Sequence, residues 1–381
     1  MRERDKFDVI IIGGGIIGLS IARALDKRKA GKIAVFDTGQ PGKEASYAAG
    51  GMLAPNAECE RIDDFYRLCT ASKALYPVFA AELLEETGID IELDRTGTIY
   101  AAFDEQNAEK LNVRYSRQIA AGLNVQVLSP SEASELEPEL STVQAALLFP
   151  EDWQVDNRKV IEALIKYGGT AGIRFNQGSR VSSIVCENNR AVGIETASGR
   201  HYARTIVVAT GAWTTDIKIG DEPIAVKVRP IRGQMVCFRA REALLRHVVY
   251  TDAGYLVPRA DRRILAGSTS EDVGFDKNTT AEGLRAIRLA AVTALPKLGE
   301  LEIVDKWAGL RPYSPPDGSP VLGMMPGFEN VFAAVGHFRN GILLAPLTAG
   351  IAADRIADNK QSEFLDLFGF PEGSVTKASV G

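Results

Sequence analysis

Residues 7–18 read Phe-Asp-Val-Ile-Ile-Ile-Gly-Gly-Gly-Ile-Ile-Gly. Val9 to Ile12 is an apolar, β-branched run without polar alternation, the pattern of a parallel strand buried on both faces. Gly13, Gly15 and Gly18 supply the G-x-G-x-x-G spacing. The first permits a tight turn, the second lets backbone approach a pyrophosphate, and the third lets helix and strand pack closely. The helix that starts at Ile16 and Ile17 aims unpaired N–H groups and a positive dipole end at the phosphates. A second apolar strand, Ile33 to Phe36, ends at Asp37, about 20 residues beyond the glycines, where a carboxylate grips an adenosine ribose. A glycine turn with only a structural purpose would not need strand, helix, second strand and carboxylate in that order.

Outward from this unit, the chain continues Gly39-Gln-Pro-Gly-Lys-Glu-Ala-Ser-Tyr-Ala-Ala-Gly-Gly-Met-Leu-Ala-Pro. A long stretch of small residues is either a flexible surface loop or backbone lying against a flat ligand, and long irregular loops in compact domains are usually functional. Ser46, Ala49, Gly50, Gly51 and Met52 are the residues that would allow the approach. At 381 residues the chain exceeds one typical core, so two intimately packed domains are expected. A formal net charge of −5 gives no electrostatic case for nucleic acid or an anionic membrane. Cys59, Cys69, Cys186 and Cys237 are scattered and do not cluster with His201, His247 or His337; neither a zinc site nor a disulfide framework is indicated, and a cytoplasmic location fits. The first strand begins too early to leave room for a signal peptide, and no apolar run reaches the ~18 residues of a membrane span.

Helical spacing of Phe65, Leu68, Cys69, Leu75, Val78, Phe79, Leu83 and Leu84 predicts a helix over 63–87 with these residues as its core face. Strands are expected at Ile89 to Leu93 and Thr98 to Ala102, and helices over 105–122 and 129–136, the latter capped by Ser129 with Pro130 at its first position. Asp156 caps a helix from Asn157 that Gly168-Gly169 should stop. Val181 to Cys186 and Ala191 to Thr196 form a hairpin, and Thr205-Ile-Val-Val-Ala-Thr-Gly is a further buried parallel strand. Strand-like pieces follow between 228 and 269, then a helix from Ala281 to Leu295 capped by Thr280. The expected organisation is an α/β, mixed α+β chain: a Rossmann-like dinucleotide-binding domain over 1–88, 150–221 and 305–365, an interleaved antiparallel-sheet domain over 89–149 and 222–304, and a flexible tail over 366–381. Arg229, Arg232 and Gln234 form a basic cluster that reads as a solvated face, with a pocket rim as the other reading.

Four separated stretches, the opening glycine unit, Ala209-Thr-Gly, Ala308-Gly-Leu-Arg-Pro and Gly336-His-Phe-Arg-Asn-Gly-Ile, together resemble the FAD-dependent D-amino-acid oxidase family, most of all its bacterial glycine-oxidising members. The first two identify a cofactor class; the last two, with Ala49-Gly-Gly-Met-Leu-Ala, are more discriminating. The resemblance implies FAD in an extended conformation with its ring at the junction of the two domains. It implies cofactor contacts at Thr210 and Gly211, at Val181 beside the adenine, and at Arg339, Asn340, Gly341 and Ile342 beside the flavin. Some relatives attach FAD through a late cysteine; none lies beyond Cys237, so the flavin should be non-covalent.

For the substrate, the resemblance implies Arg311 as the carboxylate anchor, and a guanidinium forms a planar fork that matches a carboxylate. Tyr255 would add a hydrogen bond; on sequence alone a tyrosine in a strand is more often a core or interface aromatic. Arg339 would orient substrate or exclude water, its ordinary reading being a surface ion pair. Met52 and Ala54 should face substrate or flavin, and His337 should be a neutral packing residue rather than a base. The implied activity is oxidative deamination of glycine, sarcosine or small D-amino acids to an α-keto acid, ammonia or amine, and hydrogen peroxide, serving thiamine thiazole synthesis. The expected partners are a small amine and dioxygen, with no nucleic acid and no membrane span, in a homo-oligomer. The rival readings are a dehydrogenase of the same family that feeds a quinone or carrier, and a non-catalytic flavin-binding redox sensor.

Overall fold

The strand Lys6–Ile12 lies at the centre of a parallel group. It pairs with Ile33–Phe36 on one side and Gly199–Val208 on the other, with Ile11 opposite both Val35 and Val207. In this computed structural model, which describes residues 6–58, 61–188 and 190–370, the group belongs to a ten-stranded sheet among the described residues. Val331–Val335 joins it in parallel, and the hairpin of Val181–Glu187 and Arg190–Thr196 extends it antiparallel. Helices Ile16–Lys27, Asp64–Thr87 and Gly341–Ala357 cover one face, where Ile11, Leu19, Tyr76, Phe332 and Leu344 share one core. This is the mixed α/β architecture the sequence predicts.

A second sheet of eight strands runs in the order Ile303–Tyr313, Arg229–Arg239, Arg263–Gly267, Gly254–Pro258, Val248–Thr251, Thr98–Ala102, Ala145–Phe149, Gln126–Leu128. Its pairs are antiparallel except that of Val248–Thr251 with Thr98–Ala102, which is parallel. Two boundaries differ from the expected ones. Ile303–Tyr313 pairs along its length with Arg229–Arg239, placing Ile231 opposite Arg311, so Arg311 stands on the second sheet. Glu222–Pro223 instead pairs with Lys218–Ile219 in the first.

Several local expectations also need correction. Leu75, Val78 and Leu84 are exposed on their helix; the buried side carries Leu68, Cys69, Ser72, Lys73, Tyr76, Phe79 and Leu83. Ile89 to Leu93 is not a strand, because its backbone turns to Gln154 and Asp156, with Asp156 N–H donating to Ile91 O. The helix from Asn157 runs through both glycines to Thr170. Gly168 is there for contact, since a Cβ would come within 2.5 Å of the Phe175 ring, and the turn comes at Gly172 with φ +79°. Residues 366–370 are no loose tail: a helix spans Glu363–Leu367 and Leu322 N–H donates to Phe368 O. Cys59 and residues 371–381 lie outside the described residues.

Candidate active site

A cavity of about 340 Å³ runs from Asp37, Ser179 and Val181 past Gly13, Gly15 and Ile16 to Gly50, Met52, His337 and Arg311. Its walls follow from the glycines. Gly13 has φ +105°, and a Cβ there would lie 2.3 Å from Ala209 O, so only glycine holds strand and turn this close. Asp37 receives the N–H groups of Gly14 and Gly39, each at 2.7 Å, which fixes its carboxylate at the cavity's end. The helices Ile16–Lys27 and Gly341–Ala357 both begin at this cavity without a side chain of their own N-cap residue to close them; apart from that of Ile16, their first-turn N–H groups are available to an anionic or carbonyl partner. Ser46 Oγ accepts from Ile16 N–H at 2.9 Å. Farther along, Ala45, Ala48, Ala49, Gly309 and Gly233 line a slot with small residues. A Cβ on Gly309 would come 2.5 Å from that of Ala48.

This donor set and this slot fit FAD. The pyrophosphate would lie on the first helix terminus, the ribose on Asp37 and the flat ring between the small residues, with Gly341 and Ile342 at its carbonyl edge. Of the cofactor residues expected from sequence, Gly13, Gly15, Ile16, Ile17, Asp37, Ser46, Ala49, Gly50, Gly51, Met52, Val181, Thr210, Gly211, Arg339, Gly341 and Ile342 line the cavity. Gly18 and Asn340 do not. Gly18 is pressed on Gly13, where a Cβ would sit 2.0 Å from Gly13 O, and Asn340 spends its N–H on His337 O as the helix begins.

A second cavity of about 230 Å³ meets the first. Glu58, Tyr255, Arg311 and Arg339 line both. Arg311 Nη2 donates to Ser268 Oγ at 2.6 Å and Nη1 to Thr269 O at 3.1 Å. Burial lowers its pKa from the ordinary arginine value, and the neighbouring Arg339 charge adds to this; a guanidinium remains protonated regardless. Tyr255 donates its hydroxyl to Met235 Sδ at 3.3 Å and its ring lies 5.7 Å from Tyr250. Tyr250 donates to Glu58 Oε1 at 2.5 Å, and burial raises this phenol well above its usual range. The Glu58 carboxylate holds Arg339 above the ordinary arginine value. Two cations against one carboxylate at the junction favour an anionic ligand group.

Ala54 does not line either cavity; it is buried in the cluster that contains Tyr255 and Val257. His337 is buried, with Nε2 3.2 Å from Thr348 Oγ1, and burial pushes its pKa down to about 3, so it is neutral. The basic cluster reading fails: Arg229 is exposed and paired with Asp272, while Arg232 and Gln234 are buried under residues 269–280. Alternation along the strand puts both on one face, and nothing in the local sequence says what covers it. Glu58, Tyr100, Arg114 and Tyr250 were missed. They come from a short helix, two strands and a longer helix, and carry no motif; sheet register sets Tyr100 beside Tyr250, and packing of the two helices brings Glu58 to Tyr250 and Arg114 over the Tyr100 ring.

The family described as DAO, FAD dependent oxidoreductase, matches residues 8–355. The chain is 36% identical over 364 residues to a glycine oxidase of Geobacillus kaustophilus, covering 94% of this chain and 95% of that protein. It is 33% identical over 366 residues to the bifunctional protein ThiO/ThiG of Trichormus variabilis, covering 95% of this chain and 54% of that protein. The crystal structure of the Geobacillus kaustophilus glycine oxidase superposes with a TM-score of 0.89 at 35% identity, over 97% of this chain and 99% of that one.

Proposed function

We propose, from the premise that this chain belongs to the DAO family of FAD-dependent oxidoreductases, that Arg311 captures the carboxylate of a small amino acid where the two cavities meet. The chain is an FAD-dependent amino acid oxidase acting on glycine and related small amines. FAD, which Asp37, Gly13, Gly15 and the first turns of the two helices would hold, would supply the two-electron oxidation at the substrate Cα, with dioxygen as the final acceptor and hydrogen peroxide as the product. The protein's part is placement. Arg311 binds the carboxylate with charge-assisted hydrogen bonds, Tyr255 borders it, and Arg339 with Glu58 closes the second cavity. Holding the Cα–H over the ring in this way removes the orientational cost of the step. Loss of the Cα hydride turns the neutral amine of the substrate into an iminium, which gives up a proton to become the imine, and water hydrolyses this to α-keto acid and ammonia, or to amine from an N-substituted glycine. The likeness to ThiO/ThiG supports assigning the glycine product to thiamine thiazole synthesis. None of Cys69, Cys186 and Cys237 lines the cofactor cavity, which supports non-covalent FAD. No helix among the described residues is long and apolar enough to cross a membrane. A homo-oligomer in the cytoplasm is the accompanying proposal, as is a division into two domains that follows the two sheets.

The observation that carries this reading is the convergence of Arg311, Tyr255 and Arg339 at the cavity junction. The test is anaerobic mixing of the yellow enzyme with glycine, sarcosine and D-alanine, then admission of air. Bleaching by at least one of these and one hydrogen peroxide per turnover are expected. No bleaching points to a non-catalytic flavoprotein, and reoxidation over minutes without peroxide points to a dehydrogenase. Arg311→Ala should raise KM for glycine by about 100-fold, the loss of two charge-assisted bonds; a change under about threefold, less than ~1 kcal/mol, rejects the anchor.

A further inference from the structure

Three neutral acceptors hold the Arg311 guanidinium: Ser268 Oγ, Thr269 O and, at 3.4 Å, Arg232 O. None of the ion pairs found among the described residues includes Arg311, so its charge is directed by the protein without being neutralised. The nearest carboxylate in sequence to those acceptors is Glu271, two residues beyond Thr269, and it is fully engaged elsewhere. Its two oxygens accept from Arg232 Nε at 3.0 Å and Nη2 at 3.1 Å, from Gln234 Nε2 at 2.9 Å and from Thr269 Oγ1 at 2.8 Å. Arg232, nearly inaccessible, also donates to Asp276 Oδ2 at 2.7 Å and to Asn278 O at 3.0 Å. The backbones of Arg232 and Glu271 exchange both N–H···O bonds, at 2.8 and 3.0 Å, and Thr269 Oγ1 accepts from Gln234 N–H. The bonds from Glu271 to Arg232 and Gln234, and that from Gln234 N–H to Thr269 Oγ1, therefore tie the 268–271 turn to the strand Arg229–Arg239, which pairs directly with the strand of Arg311.

We infer that the Arg232–Glu271 pair is the positioning device of the carboxylate anchor: it clamps the 268–271 turn so that Ser268 and Thr269 set the plane of Arg311. The inference rests on reading Arg311 as the anchor. Its logic is one of rigidity: Arg232 grips Glu271 through two nitrogens of its planar fork, and a bidentate pair fixes orientation as well as distance. Glu271 is accordingly held at about 2, first by its bonds to Arg232 and then by those to Gln234 and Thr269, so the clamp is ionised throughout the working pH range.

The test is a double-mutant cycle on the flavin-loaded enzyme, with acetate as the probe because it carries a carboxylate and no amine to oxidise. Glu271→Gln should raise the Kd of acetate, read from the flavin difference spectrum, and KM for glycine by about tenfold each, with kcat within about twofold. The same change in an Arg311→Met background should alter acetate affinity by less than about 1.5-fold, because the effect is transmitted only through Arg311. A purely structural role would lower flavin content or melting temperature and weaken acetate binding in both backgrounds. Thr269→Val, which removes the hydroxyl joining Glu271 to Gln234, gives a second reading should Glu271→Gln fail to fold. Unchanged acetate affinity in the soluble variant, or an equal loss in both backgrounds, overturns the inference. Should Arg311→Met by itself leave acetate affinity intact, the anchor reading fails instead, and the two failures are thereby told apart.

Discussion

Where Gly13, Gly15, Ser46 and Ala49 line it, the first cavity meets its contents with backbone and small side chains, whereas Tyr100, Arg114, Tyr250 and Arg339 present long polar side chains to the second. The difference is one of construction. A cofactor with phosphates and a flat ring is met by N–H groups at helix ends and by the absence of Cβ atoms, and both are dictated locally. A small zwitterion is met by charges and phenols whose separation is set by the register of a sheet. The first kind of site is intolerant of added atoms, and the second tolerates atoms but not displacement.

The largest expected effect is on the backbone side. In Gly18→Ala the new Cβ would lie 2.0 Å from Gly13 O and 3.1 Å from its carbonyl carbon. Backbone cannot yield there without pulling the helix Ile16–Lys27 off the strand it covers. An overpacking cost of about 3 kcal/mol and purification as a colourless protein with a lowered melting temperature are expected; the ratio of flavin absorbance in the visible to protein absorbance in the ultraviolet checks it. A variant as yellow and as stable as the parent would break the distinction between the two kinds of wall.

An intermediate effect is expected on the side-chain wall. A Cβ at Gly233 would sit 2.2 to 2.3 Å from the Nη2, Cζ and Nη1 atoms of Arg311. What it meets is the far end of a flexible side chain, so Gly233→Ala should fold and stay yellow while the guanidinium is pushed aside. A displacement of about 1 Å at a reacting site costs up to about 100-fold, and a rise of about 30-fold in KM for glycine with flavin content unchanged is the expectation. Loss of flavin together with affinity would show that the slot, rather than the anchor, had been disturbed.

These two glycines show what sequence could and could not reveal. Gly18 is legible because its reason lies five residues away, in Gly13, within one strand-turn-helix unit. Arg311 became legible only through its Gly-Leu-Arg-Pro surroundings, which mark a family resemblance rather than a physical necessity. Gly233 is illegible: its partner is 78 positions on in Arg311, joined by the antiparallel register that sets Ile231 against Arg311. Arg232 and Gln234 were misread for the same reason, since strand alternation gives the face a residue lies on but not the segment that covers it. Glu58 and Tyr250 likewise meet only in three dimensions.

The smallest effect concerns the loop where both walls join, Gly336 to Arg339. Arg339 lines the cavities and is charged, whereas His337 is buried and neutral, its pKa pushed down to about 3 by burial alone. In the unfolded chain a histidine titrates near about 6.5. Between those values the unfolded state binds the extra proton, so the stability due to burying neutral His337 is fully present above about pH 6.5 and is lost as pH falls toward about 3. A glutamine side chain cannot titrate, so His337→Gln should be less stable than the parent at about pH 7.5 while the difference in melting temperature narrows on acidification. At about pH 4.5 the narrowing should correspond to on the order of 2 kcal/mol, and all other titrating groups cancel because both proteins share them. Parallel melting curves across this range would mean that folded His337 takes up its proton as readily as the unfolded chain does, so that acidification would place a positive charge beside the slot and make the flavin side of the junction as charged as the substrate side.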